Sequence, residues 1–240
     1  MRYSPHLNSI MKSIEKATNK ISRDFTELEN LQTNPASALK FSIACAGRVE
    51  EIIEKDLRQF KPNFELHFCK ETDPAPKINS EYGCIIVPID GIDNLSRANP
   101  NFTIAVALQH QSKHGTETVS LAINHLVANS IYYCEKGLGA FVNNRRLRVS
   151  KRTKNQTPAV AIDNVNFLEN IKKIDLSGEY SVHSLNCRSL ELAMLASAQY
   201  DYYFCSNNNN LIIDCFGLMA KEAGATISHK EDLIVISNNN

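Results

Sequence analysis

The sequence predicts a mixed α/β or α+β protein in which helices cover β-sheets. Three features of its 240 residues favour this class. Apolar residues recur at helical spacing near the N-terminus, short apolar runs typical of buried strands fill the middle, and the two patterns alternate towards the end. With 43% hydrophobic residues, the chain has enough apolar surface for a packed core. The length of the chain allows one large domain or two small ones, and the lack of an internal repeat argues against a repeat array.

Two amphipathic helices are predicted first. In the opening segment, apolar residues follow one another at intervals of three and four, at Leu7, Ile10, Met11, Ile14, Ala17 and Ile21. A second helix is predicted to end before Pro62, because proline lacks the amide hydrogen that a helix interior needs. The apolar face of this second helix consists of Val49, Ile52, Ile53 and Leu57.

Short apolar runs then predict the strands. Residues 84–87 form a run with the composition of a buried strand, and Pro88 ends it. Further strands are predicted at 102–108, 118–123, 130–133, 138–142, 159–162 and 200–204. Helices are predicted at 190–198 and 215–223, the second with Gly224 at its C-terminal cap.

Charge and cysteine usage exclude several classes of protein. The 26 basic and 26 acidic residues balance, so no net charge draws the chain to nucleic acid or to a membrane surface. Residues 1–25 are polar and interrupted by charges, which predicts neither a signal peptide nor a membrane span. The seven cysteines are scattered and include no Cys-x-x-Cys pair, which is typical of free thiols. We therefore expect a cytoplasmic protein without membrane contact.

Four blocks of sequence, in order along the chain, resemble one known family. Residues 87–94 (Val-Pro-Ile-Asp-Gly-Ile-Asp-Asn) are similar to the signature D-P-x-D-G-T-x-N. Residues 214–224 resemble W-D-x-A-A-G-x-x-I-x-x-E-A-G, and residues 136–143 resemble a G-x-G-A-F-x-N hairpin. The segment 23–32 is similar to the bacterial extragenic-suppressor branch. On these blocks the chain is identified as a member of the inositol monophosphatase family.

The resemblance implies a fold, an assembly and partners. It implies one domain over residues 1–240, a layered α-β-α-β-α sandwich of the inositol monophosphatase and sugar phosphatase type, here expected without the family's final C-terminal helix. It also implies a homodimer and, for the extragenic-suppressor branch, association with the transcription and ribosomal-RNA antitermination machinery. A basic stretch is either a solvated hairpin edge or a contact surface for RNA or an acidic protein. It contains Arg145, Arg146, Arg148, Lys151, Arg152 and Lys154.

The resemblance further implies Mg²⁺-dependent hydrolysis of phosphate monoesters, in which oxygen ligands hold the ions. Asp90 and Asp214 match two of the family's acidic ligands, and Ile89 matches the residue whose backbone carbonyl binds metal. The backbone at Gly91 and Ile92 matches a phosphate-binding turn at a helix start. Other positions have lost their acids. The family's remaining carboxylates fall on Val87, Cys69, Lys70, Ala46 and Cys205.

We therefore expect weak or absent Mg²⁺ binding and impaired or lost catalysis, which would make the chain a pseudophosphatase and a regulatory scaffold. Two acidic residues leave an alternative open. Glu71 lies one or two positions from an expected acid, and Asp93 lies after Gly91, where it also suits a helix N-cap. With Asp90 and Asp214, either one would restore an active Mg²⁺-dependent inositol-1-phosphate phosphatase. A third alternative is a sensor that binds a small phosphorylated metabolite without cleaving it.

Overall fold

The computed structural model describes residues 3–153, 156–163, 179–207, 210–230 and 233–238. In these ranges twelve strands form two sheets, and six helices lie against them. No helix among the described residues is long and apolar enough to cross a bilayer. The predicted class, in which helices cover β-sheets, is confirmed.

The two opening helices, α1 (Pro5–Glu29) and α2 (Pro35–Phe60), begin where the sequence supplies helix-start signals. Each has proline in its first turn, where a missing amide hydrogen costs nothing. The side chain before each proline caps the helix. Ser4 Oγ accepts a hydrogen bond from the Leu7 amide at 3.1 Å, and the Asn34 side chain caps α2 in the same way.

The first sheet contains seven strands in chain order. They are β1 (Glu65–Phe68), β2 (Tyr82–Asp90), β3 (Thr103–Ser112), β4 (Gly115–His125), β5 (Ser130–Glu135), β6 (Gly139–Val142) and β7 (Arg145–Arg146). β1 pairs with β2 in parallel, and every other pair in this sheet is antiparallel. The register of β2 shifts between Val87 and Asp90, just before the chain enters the short helix α3 (Ile92–Ser96).

The second sheet contains five strands in the order β11-β12-β10-β8-β9. They are β8 (Ala159–Ile162), β9 (Ser181–His183), β10 (Tyr202–Ser206), β11 (Thr226–Lys230) and β12 (Leu233–Ser237). Three helices connect or follow these strands, namely α4 (Arg188–Ala196), α5 (Leu211–Phe216) and α6 (Leu218–Glu222).

Strand β2 shows why the layers form. Its residues alternate between the two faces of the sheet, and both faces are buried. Cys84 and Ile86 pack in the core beneath α1 and α2, whereas Ile85 and Val87 pack in a second core with α4 to α6 and the second sheet. The described residues therefore stack as helices, sheet, helices and sheet. They do not test the predicted fifth layer.

Several element boundaries differ from the prediction. The helix predicted at 215–223 is two short helices, α5 and α6, which meet at Gly217. The sequence patterns do not predict β1, β9, β11 or β12. β9 lies at the edge of the second sheet and is exposed along its length, so it lacks the apolar alternation that marks a half-buried strand. All seven cysteines are free thiols, as predicted.

Candidate functional site

A cavity of about 530 Å³ opens between α2, the chain that follows β1, and the end of β2. Of the seven predicted site residues, Glu71, Ile89 and Ile92 line this cavity. Most of the other lining residues are apolar. The full lining consists of Leu39, Ile43, Ala46, Gly47, Glu50, Phe68, Cys69, Lys70, Glu71, Asp73, Pro88, Ile89 and Ile92.

The turn after β2 is held closely by its surroundings. Gly91 has a φ of +81°, and a Cβ at this position would lie 2.9 Å from the Asn101 carbonyl oxygen. Only glycine fits such a backbone conformation at so close an approach. The Asn94 side-chain amide donates to the carbonyls of Asn101 and Leu185, each at 2.7 Å, and to that of Asn186 at 3.2 Å. The turn is therefore tied to the segment that leads into α4.

Asp90 is fully buried at the end of β2. Its Oδ2 accepts hydrogen bonds from the Ser189 amide at 2.6 Å and from the Ser189 hydroxyl, and the Thr103 hydroxyl lies 2.6 Å from Ser189 Oγ. Among the described residues, Asp90 Oδ1 has no hydrogen-bond partner. Burial raises the pKa of Asp90, and the hydrogen bonds from Ser189 oppose that shift.

A guanidinium group lies where the acids converge. Arg188, the first residue of α4, places Nε 3.1 Å from Asp163 Oδ2 and donates from Nη1 to the Glu71 carbonyl at 3.2 Å. The Tyr203 hydroxyl donates to the other oxygen of Asp163. Glu191, one turn along α4, accepts from the Leu185 amide at 2.6 Å. We call Asp90, Asp163, Arg188, Glu191 and Tyr203 the Arg188 cluster.

The pKa shifts show that these acids affect one another. Burial, and next the charge of Asp90, raises the pKa of Glu71 to about 7, and Arg188 opposes the shift. Burial also raises the pKa of Glu191 to about 8, with contributions from the charges of Asp163 and Asp90. Asp93, which is exposed on α3, adds to the shift at Glu71. Glu71 therefore lies within electrostatic reach of both Asp90 and Asp93.

Asp214 lies in a different environment. It is exposed on α5, burial raises its pKa, and the charged group that opposes this shift is His229 on β11. Its spacing also departs from the family pattern. In the pattern, the glutamate of E-A-G lies ten positions after the aspartate of W-D, whereas Glu222 lies eight positions after Asp214. Counting ten residues back from Glu222 gives Ile212, which is fully buried. The ligand role of Asp214 stays a prediction, without support from its position.

The residues present do not fit a Mg²⁺ centre. Val87 is fully buried, and Cys69 is half-buried with a pKa raised by burial to about 11, so neither offers a hard oxygen ligand. Arg188 brings a fixed positive charge next to the remaining acids, which would repel a cation. Within the described ranges, no group of three or more His, Cys, Asp or Glu side chains is arranged to hold a metal ion.

Sequence patterns alone do not reveal the Arg188 cluster. Asp163 directly follows β8, and functional side chains in α/β sheets often lie at strand ends. Its position after a predicted strand could therefore have indicated a site residue. Glu191 falls on an apolar helix face, where an acid needs a partner. No local pattern pairs Arg188 with Asp163, because the contact depends on how α4 packs against the second sheet.

The described residues form a layered α/β sandwich with an acid-bearing turn at the end of the buried strand β2. The chain belongs to the inositol monophosphatase family, whose model matches residues 4–231. It is 27% identical over 238 residues to an inositol-1-monophosphatase of Mesorhizobium japonicum, covering 95% of this chain and 86% of that protein. It is 26% identical to the putative Nus factor SuhB of Neisseria meningitidis serogroup B, covering 94% of this chain and 87% of the relative.

Solved structures show the same fold. The extragenic suppressor protein suhB from Bartonella henselae superposes with a TM-score of 0.80, at 23% identity, over 99% of this chain and 95% of that one. At this identity the similarity concerns the fold alone. Together with the family match, it confirms the predicted family, its extragenic-suppressor branch and the layered fold.

Proposed function

We propose that this protein is a family member that has lost phosphatase catalysis and acts as a regulatory scaffold. The observation that carries the proposal is the Arg188 guanidinium, which stands 3.1 Å from Asp163 and within reach of Asp90 and Glu71. A phosphatase of this family needs divalent cations beside its acids. In this chain the positive charge that balances those acids is covalently part of α4.

The hydrogen bonds of Asp90 support the same conclusion. A carboxylate that accepts two hydrogen bonds on Oδ2 from Ser189 is already stabilised by the protein. Its second oxygen, Oδ1, is buried and has no hydrogen-bond partner among the described residues. Asp90 does not line the cavity, and Mg²⁺ keeps several waters when it binds, so this buried oxygen is a poor ligand for a hydrated cation.

The test combines metal binding with turnover. We expect calorimetry to detect no Mg²⁺ binding at millimolar metal, and phosphate release from inositol 1-phosphate to stay at the rate without protein. Asp90→Asn is the matched control, since it removes the charge and keeps the shape. Turnover that requires Mg²⁺ and disappears in Asp90→Asn would contradict the proposal.

The second candidate is an active Mg²⁺-dependent inositol-1-phosphate phosphatase. One observation favours it, namely the electrostatic coupling of Glu71 to Asp90 and Asp93. In that case Asp90→Asn would abolish turnover, as would Glu71→Gln or Asp93→Asn at the substitute ligand and Asp214→Asn at the predicted fourth position. Unchanged turnover in Asp214→Asn would remove Asp214, which is exposed on α5, from the ligand set. Binding of inositol 1-phosphate without phosphate release would instead identify a sensor of a phosphorylated metabolite.

The proposed partner is the transcription machinery, because relatives that cover nearly the whole chain are named Nus factors. The exposed residues Arg145, Arg146, Arg148 and Lys151 form a basic surface suited to RNA, whereas Arg152 is engaged by Asp201. Lys154 lies outside the described residues. We expect the double variant Arg145→Glu with Arg148→Glu to weaken binding of ribosomal leader RNA in fluorescence anisotropy, and Lys113→Glu, an exposed lysine on the β3–β4 turn, to leave it unchanged.

A homodimer is proposed as the working assembly, on the family resemblance. Light scattering at micromolar protein tests it directly, since a monomer mass would contradict it. RNA binding at the basic surface does not depend on the result, because that surface lies on a single chain.

A further inference from the structure

Apolar residues on the exposed face of α2 line one side of the cavity beside Glu71. Leu39 is 42% exposed and Ile43 is 57% exposed, and they lie one helical turn apart. Ala46 and Gly47 extend the same stripe, which reaches Glu50, a length of about 16 Å along the helix. Large exposed apolar side chains grouped on one concave surface indicate a binding site. We call this stripe and the cavity it borders the α2 groove.

Gly47 is a second, independent observation. It lies in the interior of α2, where glycine costs about 1 kcal/mol relative to alanine. A Cβ at this position would meet no atom within 4 Å, so internal packing does not require glycine there. Its φ is not positive, so the backbone does not require it either. A glycine that neither packing nor conformation demands leaves room for the backbone or side chain of another molecule.

The charges around the α2 groove favour one class of ligand over another. Three acidic residues, Glu50, Glu71 and Asp73, line it, against one basic residue, Lys70. The Lys70 amide also donates to the Asp73 carboxylate at 2.7 Å, which fixes that acid at the rim. The net negative charge of the groove would repel a phosphate ester. A ligand with an apolar group and an adjacent positive charge would match both the apolar stripe and the acidic residues.

We propose that the α2 groove binds a segment of a partner protein that presents apolar side chains flanked by lysine or arginine. The segment lays its apolar side chains against Leu39 and Ile43, and its backbone passes over Gly47. Its basic residues face Glu50 and Asp73. The length of the stripe, about 16 Å along α2, favours a peptide over a small metabolite. The proposal goes beyond the loss of catalysis, since a chain that retained turnover would carry the same groove.

The probes are three fluorescein-labelled synthetic peptides that share two leucines one helical turn apart. They differ only in the residues that flank the leucines, which are lysine, glutamine or glutamate. Fluorescence anisotropy at low salt should give an affinity order of lysine, then glutamine, then glutamate, with about tenfold between the first and the last. The preference should shrink as salt is added.

Variants of α2 locate the site. Gly47→Leu fills the groove without touching the interior, so it should fold normally and lower the affinity for the lysine peptide about tenfold or more. Ala44→Leu is the matched control, because Ala44 is exposed on the same helix and does not line the groove. It should bind as the unmodified protein does. Thermal melts of both variants confirm folding.

Four results would overturn the proposal. The first is that no peptide binds, and the second is that the glutamate peptide binds as well as the lysine peptide. The third is that Gly47→Leu binds unchanged. The fourth is that sedimentation shows self-association which Gly47→Leu abolishes, because the occupant would then be a second copy of this chain. Loss of lysine-peptide binding in Gly47→Leu with retention in Ala44→Leu would establish the site.

Discussion

Replacing Arg188 by methionine removes the one positive charge of the Arg188 cluster and keeps most of the side-chain length. Arg188 Nε lies 3.1 Å from Asp163 Oδ2, a separation at which two unit charges attract by about 5 kcal/mol at an effective dielectric constant of about 20. Desolvation of both groups offsets part of this. Removing one partner of a buried pair costs roughly 3–5 kcal/mol, and the guanidinium is 24% exposed, so we expect the lower end, about 3 kcal/mol. The melting temperature should fall by roughly 6–12 °C.

The loss should depend on pH. Arg188 lowers the pKa of Asp90, Asp163 and Glu71, each of which burial raises, so the variant raises all three further. When the pKa of an acid is higher in the folded protein than in the unfolded chain, ionisation favours the unfolded chain. The folded protein therefore loses stability as pH rises from the unfolded pKa, near 4, to the folded pKa. The loss should therefore be larger at pH 8 than at pH 5, measured by urea denaturation.

A matched variant separates this effect from the loss of any ion pair. Arg152→Met removes a guanidinium from Asp201, with a separation of 3.0 Å, beside the start of β10 and away from the cavity. Added Mg²⁺ should raise the melting temperature of Arg188→Met, because the freed acids can then attract a cation, and should leave Arg152→Met unchanged. A loss below about 1 kcal/mol that is equal at both pH values would refute the reasoning, since it is what a solvated surface pair gives.

Four further variants test separate parts of the molecule. Glu191→Gln keeps the hydrogen bond from the Leu185 amide and removes a carboxyl whose pKa burial raises to about 8, so its stability advantage over the unmodified protein should grow from pH 5 to pH 8 in urea titrations and then level off. Gly91→Ala should cost about 1–3 kcal/mol of unfolding free energy because of the positive φ, whereas Gly47→Ala should gain up to about 1 kcal/mol. Val87→Asp combined with Cys69→Glu should raise Mg²⁺ affinity in calorimetry by more than the two single changes added together, since each ligand helps only when the ion is already held; additive effects would contradict this.

Sequence patterns predict the elements whose burial is regular. Helix α1 is predicted because one stripe of it packs against the first sheet, and β2 because both of its faces are buried, which produces a continuous apolar run. Edge strands such as β9 and β11 escape prediction, because their side chains face solvent and keep no apolar period. Their place in the sheet comes from backbone pairing with neighbours that are distant in sequence.

The candidate site also has a part that the sequence predicts and a part that it does not. The turn at Asp90 and Gly91 is predictable, since a short motif determines its backbone. The environment of Asp90 is not, because Ser189 and Thr103 reach it from α4 and β3. Asp214 shows the converse case, in which a matching residue type stands two positions from the register that the rest of its motif defines. The residue type alone could not distinguish a ligand from an exposed helix position.

Asn94 links the two halves of the protein. Its amide is bound by carbonyls on both sides of the molecule, one in the segment before β3 and two in the segment before α4, so it fastens the first sheet to the second. A mutation there would be removed by selection for folding even in a lineage that never hydrolyses a phosphate ester. Part of the motif by which this family is recognised therefore has a structural role, and its presence in a sequence does not by itself indicate phosphatase activity.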